Sequence, residues 1–240
     1  MPDKKIIIVG ASSGVGREIA EIYASQNCKV GITGRRENLL LQLKEKYPQQ
    51  IFVSCFDVMG NENQQKIQQL IDELGGLDLL IYNSGYGEPS RELNWKTENI
   101  TTQTNVNGFI EIVNFAFNYF VKQGCGQIAL TSSVAALRGN GWASAYSASK
   151  AFMNVYAEGL NIKAKKLNVD ITVTDIRPGF INTKMAKGNG RFWVASPQKA
   201  AKQIVRAIEK KKRITYITKR WWFIAQLIKI LPYNIYRRIV

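Results

Sequence analysis

Apolar runs of strand length alternate with segments of helical periodicity along the chain, and no internal repeat interrupts them. The pattern predicts strands at residues 5–9, 28–33, 51–56, 78–82, 126–131, 169–176 and 213–218. It predicts helices at residues 15–26, 37–47, 62–74, 97–121, 144–167 and 197–210. Several strands are continuously apolar, as is typical of strands covered by helices on both faces. We therefore predict an α/β fold, a single doubly wound parallel sheet of the Rossmann-like kind.

The length of 240 residues and a hydrophobic content of 45% suit one domain of this kind. We predict a dinucleotide-binding and catalytic domain over residues 1–218, followed by a basic, aromatic extension over residues 219–240. The first apolar run, residues 6–9, is too short for a secretory signal, so we expect a cytoplasmic protein.

The net charge of +15 is confined to the last quarter of the sequence. Residues 176–240 hold 16 of the 33 Lys and Arg residues and a single acidic residue, Glu209, so the rest of the chain is neutral overall. The chain has no histidine, which excludes Ser-His-Asp hydrolysis and His-ligated metals. The three cysteines, Cys28, Cys55 and Cys125, are far apart and lack metal-ligand spacing, so we expect reduced thiols and no metal site.

A glycine-rich segment lies between the first predicted strand and the first predicted helix. Its glycines allow a tight turn, and the free amides of a helix start attract phosphate. The residues expected to bind a dinucleotide here are Gly10, Ser12, Ser13, Gly14, Val15 and Gly16. Because position in a strand-turn-helix unit makes such a loop more specific, we favour a cofactor site over an empty turn.

The end of the second predicted strand indicates which dinucleotide binds. A carboxylate at this position usually holds the ribose hydroxyls of NAD(H). Here the segment contains Arg35 and Arg36 and no carboxylate. Guanidinium groups form charge-assisted, forked hydrogen bonds with phosphate, so we predict NADP(H). The alternative is that both arginines are solvated loop charges.

Tyr146 and Lys150 lie four residues apart in a predicted helix, which places both side chains on one face. A nearby ammonium favours the phenolate and so lowers the pKa of a tyrosine toward a range useful for proton transfer. Ser133 lies 13 residues before Tyr146, at the end of the fifth predicted strand. Taken alone, the pair could be an ordinary exposed helix pair.

With the glycine loop, Ser133 and the Tyr-x-x-x-Lys helix in this order, the chain resembles a short-chain dehydrogenase/reductase over residues 4 to about 218. Val9 stands where the family loop has threonine, and Tyr82 and Ser84 depart from its Asn-Asn-Ala-Gly turn. The resemblance implies a catalytic set of Asn105, Ser133, Tyr146 and Lys150, with Asn107 as a nearby competitor for Asn105. It also implies that Tyr146 and Lys150 contact the cofactor together with Asp57, Val58, Asn83, Gly85, Pro178, Gly179, Ile181 and Thr183.

The resemblance also implies a role for each catalytic residue. Tyr146 would be the acid, and Lys150 would bond the nicotinamide ribose. Ser133 would hold the substrate oxygen, and Asn105 would fix a water that relays protons. We therefore predict an NADP(H)-dependent oxidoreductase that interconverts a carbonyl and a secondary alcohol. A substrate-covering segment with Phe180, Ile181, Met185, Phe192 and Trp193 mildly favours an apolar (lipid, acyl or steroid-like) substrate. The alternative is a non-catalytic NADP(H)-binding regulatory protein.

The extension carries aromatic and aliphatic residues between Lys and Arg residues. Its apolar stretch, residues 221–231, is too short to span a bilayer. Three interpretations stay open: peripheral association with an anionic membrane surface, packing over the substrate cleft or a second subunit, and disorder. We expect no nucleic-acid partner, because the cations alternate with bulky aliphatics. The resemblance implies a homo-oligomer, a dimer or tetramer, through the long helices near residues 97–121 and 144–167.

Overall fold

The computed structural model describes residues 3–183 and 192–239. Within these residues, seven parallel strands form one sheet in the order β3-β2-β1-β4-β5-β6-β7. The strands are β1 (Lys5–Val9), β2 (Lys29–Gly34), β3 (Ile51–Cys55), β4 (Leu79–Tyr82), β5 (Cys125–Thr131), β6 (Asp170–Pro178) and β7 (Ile214–Ile217). The predicted fold class is confirmed, and the predicted strand ends lie within about two residues of the observed ones.

The helices lie between the strands and on both faces of the sheet. They are α1 (Gly14–Ser25), α2 (Glu37–Lys46), α3 (Asn63–Leu74), α4 (Trp95–Thr102), α5 (Gly108–Gln123), α6 (Ser144–Lys166), α7 (Pro197–Glu209), α8 (Trp221–Ile230) and α9 (Tyr233–Tyr236). Capping residues fix some of the helix ends. Ser196 accepts a hydrogen bond from the Lys199 amide at the start of α7, and Pro197 occupies the first turn.

The sheet separates two hydrophobic clusters. On one face, Ile6 and Ile8 of β1 pack with Ile19 of α1 and with Ile204 of α7. On the other face, side chains of α3, α5 and α6 pack around Ile7 and Val9 of β1. Both faces of β1 are therefore fully buried, which explains its unbroken apolar sequence.

The strand order reverses beside β1, which pairs with β2 on one side and with β4 on the other. At the carboxyl end of β1, Val9 lies opposite both Thr33 and Tyr82. The segments that follow these strands are thus brought to one edge of the sheet. In open α/β sheets this edge is where ligands bind.

Two regions differ from the predicted elements. The helix predicted over residues 97–121 is two helices, α4 and α5, joined by a π-helical turn over Gln103–Asn107. Such turns interrupt the regular ladder and frequently mark functional positions. The extension, whose structure the sequence left open, contains α8 and α9, and α8 packs against β7 and the 3₁₀ turn Val134–Leu137.

Candidate active site

The glycine loop connects β1 to α1 in a tight turn that only glycine can complete. Gly14 has a φ of +59°, and a Cβ on Gly16 would collide with the Gly10 carbonyl oxygen and lie 2.8 Å from Asn83 Nδ2. Ser13 is the N-cap of α1, yet its side chain makes no capping hydrogen bond. The first amides of α1 therefore keep their capacity to bind an anion.

Arg36 extends from the end of β2 back to the glycine loop. Its Nη2 donates to Ser12 Oγ and to Ser13 Oγ, each at 2.7 Å, and its Nε donates to Ser12 Oγ at 3.2 Å. The guanidinium is thus held at one end of the loop, where it adds positive charge to the helix start. This donor set suits a phosphate group.

Arg35 turns away from the loop toward the end of β3. Its Nη1 lies 3.5 Å from the Asp57 carboxylate; the Arg35 side chain is exposed and the Asp57 side chain is partly exposed. The Met59 amide donates to Asp57 Oδ1 at 3.1 Å. Val58 is buried in the core, so its backbone, and not its side chain, is the part that could border a ligand. The two predicted arginines therefore occupy different places at the same sheet edge.

Asn83 joins three strand ends at the reversal of strand order. Its Nδ2 donates to the Gly10 carbonyl at 3.0 Å, and its Oδ1 accepts from Thr131 Oγ1 at 3.2 Å. The Asn83 amide donates to the Val9 carbonyl at 2.9 Å. The ends of β1, β4 and β5 are therefore fixed relative to each other. Tyr82, a departure from the family turn, is buried and donates to the Thr104 carbonyl at 2.8 Å.

Asn105 lies in the π-helical turn and is completely buried. Its Nδ2 donates to the Tyr86 carbonyl at 2.7 Å and to Ser149 Oγ at 2.9 Å, and its Oδ1 accepts from the Tyr86 amide at 2.8 Å. These bonds attach the segment after β4 to α6. Asn107, the competitor, is exposed and donates to Gln103, so it faces away from the site.

Lys150 is buried, with only 3% of its surface exposed, on the inner side of α6. Its Nζ donates to the Thr131 carbonyl at 2.7 Å, at the end of β5. A Cβ on Gly85 would lie 3.2 Å from Nζ and 3.5 Å from Asn105 Oδ1, so Gly85 borders both side chains. Burial lowers the pKa of Lys150 to about 8, while the negative charge of Asp175 acts in the opposite direction.

Tyr146 faces the same space from the first turn of α6. The pKa of its hydroxyl is raised, because burial outweighs the hydrogen bond with Ser133, which lowers it. The lowered pKa expected from the sequence is therefore wrong for the cofactor-free protein. Lys150 Nζ lies 5.9 Å from the centre of the Tyr146 ring. Gly87 is packed against this ring, since a Cβ there would overlap it. The structure thus brings Tyr146, Ser133 and Lys150 together.

Ser132 and Ser133 point in opposite directions. Ser132 is buried, and its hydroxyl donates to Asp175 Oδ1 at 2.5 Å or to the Ile176 carbonyl at 2.9 Å. Asp175 also accepts from Arg177 Nε at 2.6 Å. Ser133 is the N-cap of the 3₁₀ turn, accepts from the Ala135 amide at 3.1 Å and faces Tyr146. Only Ser133 is on the side of the proposed reaction.

The segment after β6 closes the other side of the site. Pro178 ends β6, the Gly179 amide donates to the Ile217 carbonyl at 2.7 Å, and Ile181 is buried. Thr183 lies against Gly14, 3.3 Å from where a Cβ would stand. This segment therefore extends from the end of the sheet to the glycine loop. Met185 lies outside the described residues.

A surface pocket opens beside Tyr146, between the segment after β4 and the start of α6. Its lining includes Glu88, Leu93, Glu98 and Trp142. Leu93 and Trp142 expose much of their apolar surface there. The pocket is thus a mixed cavity, with apolar side chains and carboxylates next to the tyrosine.

Several residues of the site were missed by the sequence reasoning. Thr131 and Tyr86 contribute through backbone carbonyl or amide groups, which leave no side-chain signal. Ser149 lies next to Lys150 in sequence, but its bond to Asn105 depends on the π-helical turn. Asp175, whose charge acts on Lys150, could not be recognised from the spacing of acidic residues in the sequence. Trp221, which packs directly on Gly179, belongs to the extension and required the tertiary structure.

The comparisons with known proteins identify the family. The family model described as "short chain dehydrogenase" matches residues 4–192. The chain belongs to the short-chain dehydrogenase family. An uncharacterised oxidoreductase of Mycobacterium tuberculosis is 33% identical over 98% of this chain and 96% of its own length.

Two further similarities extend the comparison. The 11-beta-hydroxysteroid dehydrogenase 1A of Arabidopsis thaliana is 30% identical over 95% of this chain and 72% of its own length. The structure titled "ElxO with NADP Bound" has a TM-score of 0.78 at 21% identity and covers 90% of this chain and 97% of that chain. This short-chain dehydrogenase is therefore an oxidoreductase of a family that binds a nicotinamide cofactor.

The electrostatic balance at Lys150 gives a first prediction. We expect its ammonium to be present below pH 8 and to be lost as the pH rises through its pKa of about 8 in the cofactor-free protein. Asp175→Asn removes the negative charge that opposes the effect of burial, so we expect this variant to lower the pKa further. Carbon NMR titration of the lysine side chain measures both values. Asp170→Asn, an exposed change on the same strand, is the control, and an unchanged Lys150 titration in Asp175→Asn would contradict the assignment.

Proposed function

We propose that this short-chain dehydrogenase interconverts a carbonyl and a secondary alcohol with NADP(H) as cofactor, and that Tyr146 is the acid and base. The observation that carries the proposal is the convergence of three groups on one space. The Tyr146 hydroxyl is hydrogen-bonded with Ser133, and the Lys150 ammonium is held beside them by the Thr131 carbonyl. A phenol, a hydroxyl and an ammonium in this arrangement are suited to moving a proton to or from an alkoxide.

The residues at the sheet edge fit a nicotinamide dinucleotide. A cradle for phosphate groups is formed by the first backbone amides of α1, which lack a side-chain cap, by the close packing of Gly16 on Gly10, and by the guanidinium of Arg36. Gly85, Lys150 and the segment from Pro178 to Thr183 border the opposite end, where the nicotinamide half would lie. The bound cofactor supplies or accepts the hydride. The protein therefore has to position the substrate and handle one proton.

Each catalytic side chain has a task that follows from its contacts. Ser133 is free to hold the substrate oxygen as a preorganised donor, because its own backbone position is fixed by the turn that it caps. Tyr146 donates its proton to that oxygen in reduction and accepts it in oxidation. Lys150, held at Thr131, places a positive charge beside the Tyr146 ring and has further N–H groups for the ribose hydroxyls.

Asn105 acts as a positioning residue in this proposal. Both N–H bonds of its amide and one bond to its oxygen are used to hold Tyr86 and Ser149. A water that relays protons to solvent would accordingly bind the backbone of the π-helical turn or the remaining lone pair of Oδ1. The amide fixes the segment that contains Gly87, which in turn packs on Tyr146.

A preference for NADP(H) is supported by the place of Arg36. Its guanidinium bonds to both serines of the glycine loop, and the end of β2 carries no carboxylate that would repel a 2′-phosphate. Arg35 is shared with Asp57, so it contributes less free charge at this place. The NADP bound in ElxO, a protein of the same fold, is in keeping with this choice.

An apolar substrate is supported by the surroundings of Tyr146. Leu93 and Trp142 line the pocket beside the tyrosine. Phe180, in the segment after β6, packs edge-on against the Trp221 ring. The name of the Arabidopsis relative, a hydroxysteroid dehydrogenase, agrees with a lipid-like secondary alcohol. A regulatory protein that binds NADP(H) without turnover is the alternative, and it would not require the bond between Tyr146 and Ser133.

The role of Tyr146 can be tested by Tyr146→Phe. Because a positioned acid or base contributes roughly 10²–10⁴-fold, we expect kcat/KM for ketone reduction to fall at least about 100-fold. NADPH binding, measured by fluorescence titration, should change little. Tyr156→Phe, on the same helix, is the matched control and should keep its activity. Unchanged turnover in Tyr146→Phe would refute the mechanism, and absent turnover in the parent protein across a panel of ketones would favour the regulatory alternative.

The cofactor preference can be tested by Arg36→Ala. Loss of charge-assisted bonds to the 2′-phosphate, worth about 1.5–3 kcal/mol, should raise the KM for NADPH roughly 10- to 100-fold. The KM for NADH should change much less, since NADH lacks that phosphate. Steady-state kinetics with both cofactors give the ratio, and Arg206→Ala, an exposed change on α7, is the control. Equal increases for both cofactors would show that Arg36 only supports the loop.

We also propose that the protein is a homo-oligomer through the outer face of α6. Val155 and Ile162 are exposed there by 72% and 52%, and Gly159 between them leaves open space. Self-pairing of α6 around a two-fold axis would bury this stripe. Val155→Glu combined with Ile162→Glu should therefore give monomers in size-exclusion chromatography with light scattering, whereas Leu41→Glu should not. An unchanged mass in the double variant would exclude this interface.

A further inference from the structure

The helices of the extension present an apolar surface to solvent. Phe223 and Ile230 are exposed by 67% and 78%, although they lie in a regular helix. We call this surface the tail face, and it consists of Trp222, Phe223, Leu227, Ile230, Tyr233 and Ile235. Contiguous apolar surfaces of this kind mark interaction sites in soluble proteins.

The opposite side of α8 is anchored to the body of the protein. Trp221 and Ala225 are buried, and Trp221 packs against Gly179, Phe180, Phe192 and Trp193. α8 is thus apolar on its inner side and over most of its outer side, where Gln226 and Lys229 are the polar residues. Apolar residues on both sides are typical of helices enclosed by protein or by lipid. Since the protein covers only one side, the tail face lacks a covering partner within the described residues.

Arg138 fixes the end of α8 and the start of α9. Its Nη1 donates to the carbonyls of Ile228 and Leu231, the last of which would otherwise be unsatisfied at a helix end. Its guanidinium lies 4.2 Å from the centre of the Tyr236 ring, and Tyr236 donates to the Gly139 carbonyl at 2.8 Å. The tail face is therefore held in a defined orientation.

The charges around the tail face have a single sign. Beyond Glu209 the sequence contains no acidic residue. Within the two helices and their flanks, the charged side chains are Lys219, Arg220, Lys229, Arg237 and Arg238. A surface that is apolar at its centre and cationic at its rim is complementary to a partner with an apolar interior and an anionic surface.

A second copy of the chain fits this surface poorly. In a two-fold symmetric contact the same patch faces itself, so the cationic rims would oppose each other. Like charges in such contacts are unfavourable. An anionic bilayer meets both requirements, because its acyl region accepts Phe and Ile side chains while its headgroups attract Lys and Arg. Trp and Tyr, present as Trp222 and Tyr233, are enriched at the headgroup level.

The dimensions indicate how such a membrane would be bound. α8 contains 10 residues, and none of the described helices is long and apolar enough to cross a bilayer. A helix attached to the protein along one side can only lie in the plane of the interface. We propose that the tail face docks this protein on an anionic membrane surface, with α8 parallel to it.

Vesicle co-sedimentation of the full-length protein tests the proposal. Vesicles of phosphatidylcholine with phosphatidylserine should bind it, vesicles of phosphatidylcholine alone should bind it weakly, and raised salt should reduce binding. Phe223→Ser combined with Ile230→Ser should abolish binding to both vesicles. The matched control is Leu41→Ser combined with Leu167→Ser, which removes two exposed apolar side chains elsewhere. Circular dichroism and thermal melting verify that each variant is folded.

The charge contribution has its own variant pair. Arg237→Gln combined with Arg238→Gln should weaken binding to the anionic vesicles about 30-fold, at about 1 kcal/mol for each cation near the surface. Lys165→Gln combined with Lys166→Gln, at the end of α6, should change it much less. Weakened binding in the first pair and nearly unchanged binding in the second supports docking through the extension, whereas equal effects in both pairs contradict it.

Three results would overturn the proposal. The first is equal vesicle binding by the Phe223 and Ile230 variant and the parent protein. The second is binding to heparin that matches vesicle binding and is unaffected by that variant, which would indicate a general polyanion site. The third is a reduced oligomer mass in that variant without any vesicle binding by the parent, which would make the tail face a contact between copies.

Discussion

The buried ammonium of Lys150 is the constraint on which the site depends. Transfer of a charge into the interior is costly unless the charge is paired and hydrogen-bonded. The Thr131 carbonyl supplies one bond, and the negative charge of Asp175 lies close enough to stabilise the ammonium. The first turns of α6 are accordingly fixed against the end of β5, and Tyr146 is fixed with them.

The second condition is the junction of strand ends beside β1. Asn83 joins the Gly10 carbonyl to Thr131, and Thr131 provides the carbonyl that holds Lys150. The glycine loop and α6, the proposed catalytic helix, are thus connected through two residues, Asn83 and Thr131. A change at this junction would disturb the proposed phosphate cradle and the proton-handling pair together. This connection would keep the proposed cofactor and substrate ends of the site at a fixed separation.

Much of the fold could be predicted from the sequence, because the apolar runs of the strands and the helical periodicity of the segments between them were both strong. The continuously apolar β1 and the amphipathic α7 leave few alternatives to a covered parallel sheet. The predicted site residues also converge, because carboxyl ends of parallel strands meet at one edge. What the sequence could not give depends on tertiary context. The π-helical turn around Asn105 and the carbonyl of Thr131 have no side-chain signature, and a continuous helical period hid the break between α4 and α5.

The extension also shows that composition alone does not decide which surface a segment contacts. Its composition allowed a membrane, a protein surface or disorder. The structure shows that the inner side of α8 packs on the protein, and the membrane contact of the outer side is our proposal. The inner side of α8 packs on Gly179, in the segment that borders the proposed nicotinamide site, and on the turn that begins after Ser133. The outer side is apolar and cationic at its rim. A surface bound to the outer side would therefore lie next to the elements that hold the proposed catalytic serine and the proposed cofactor segment.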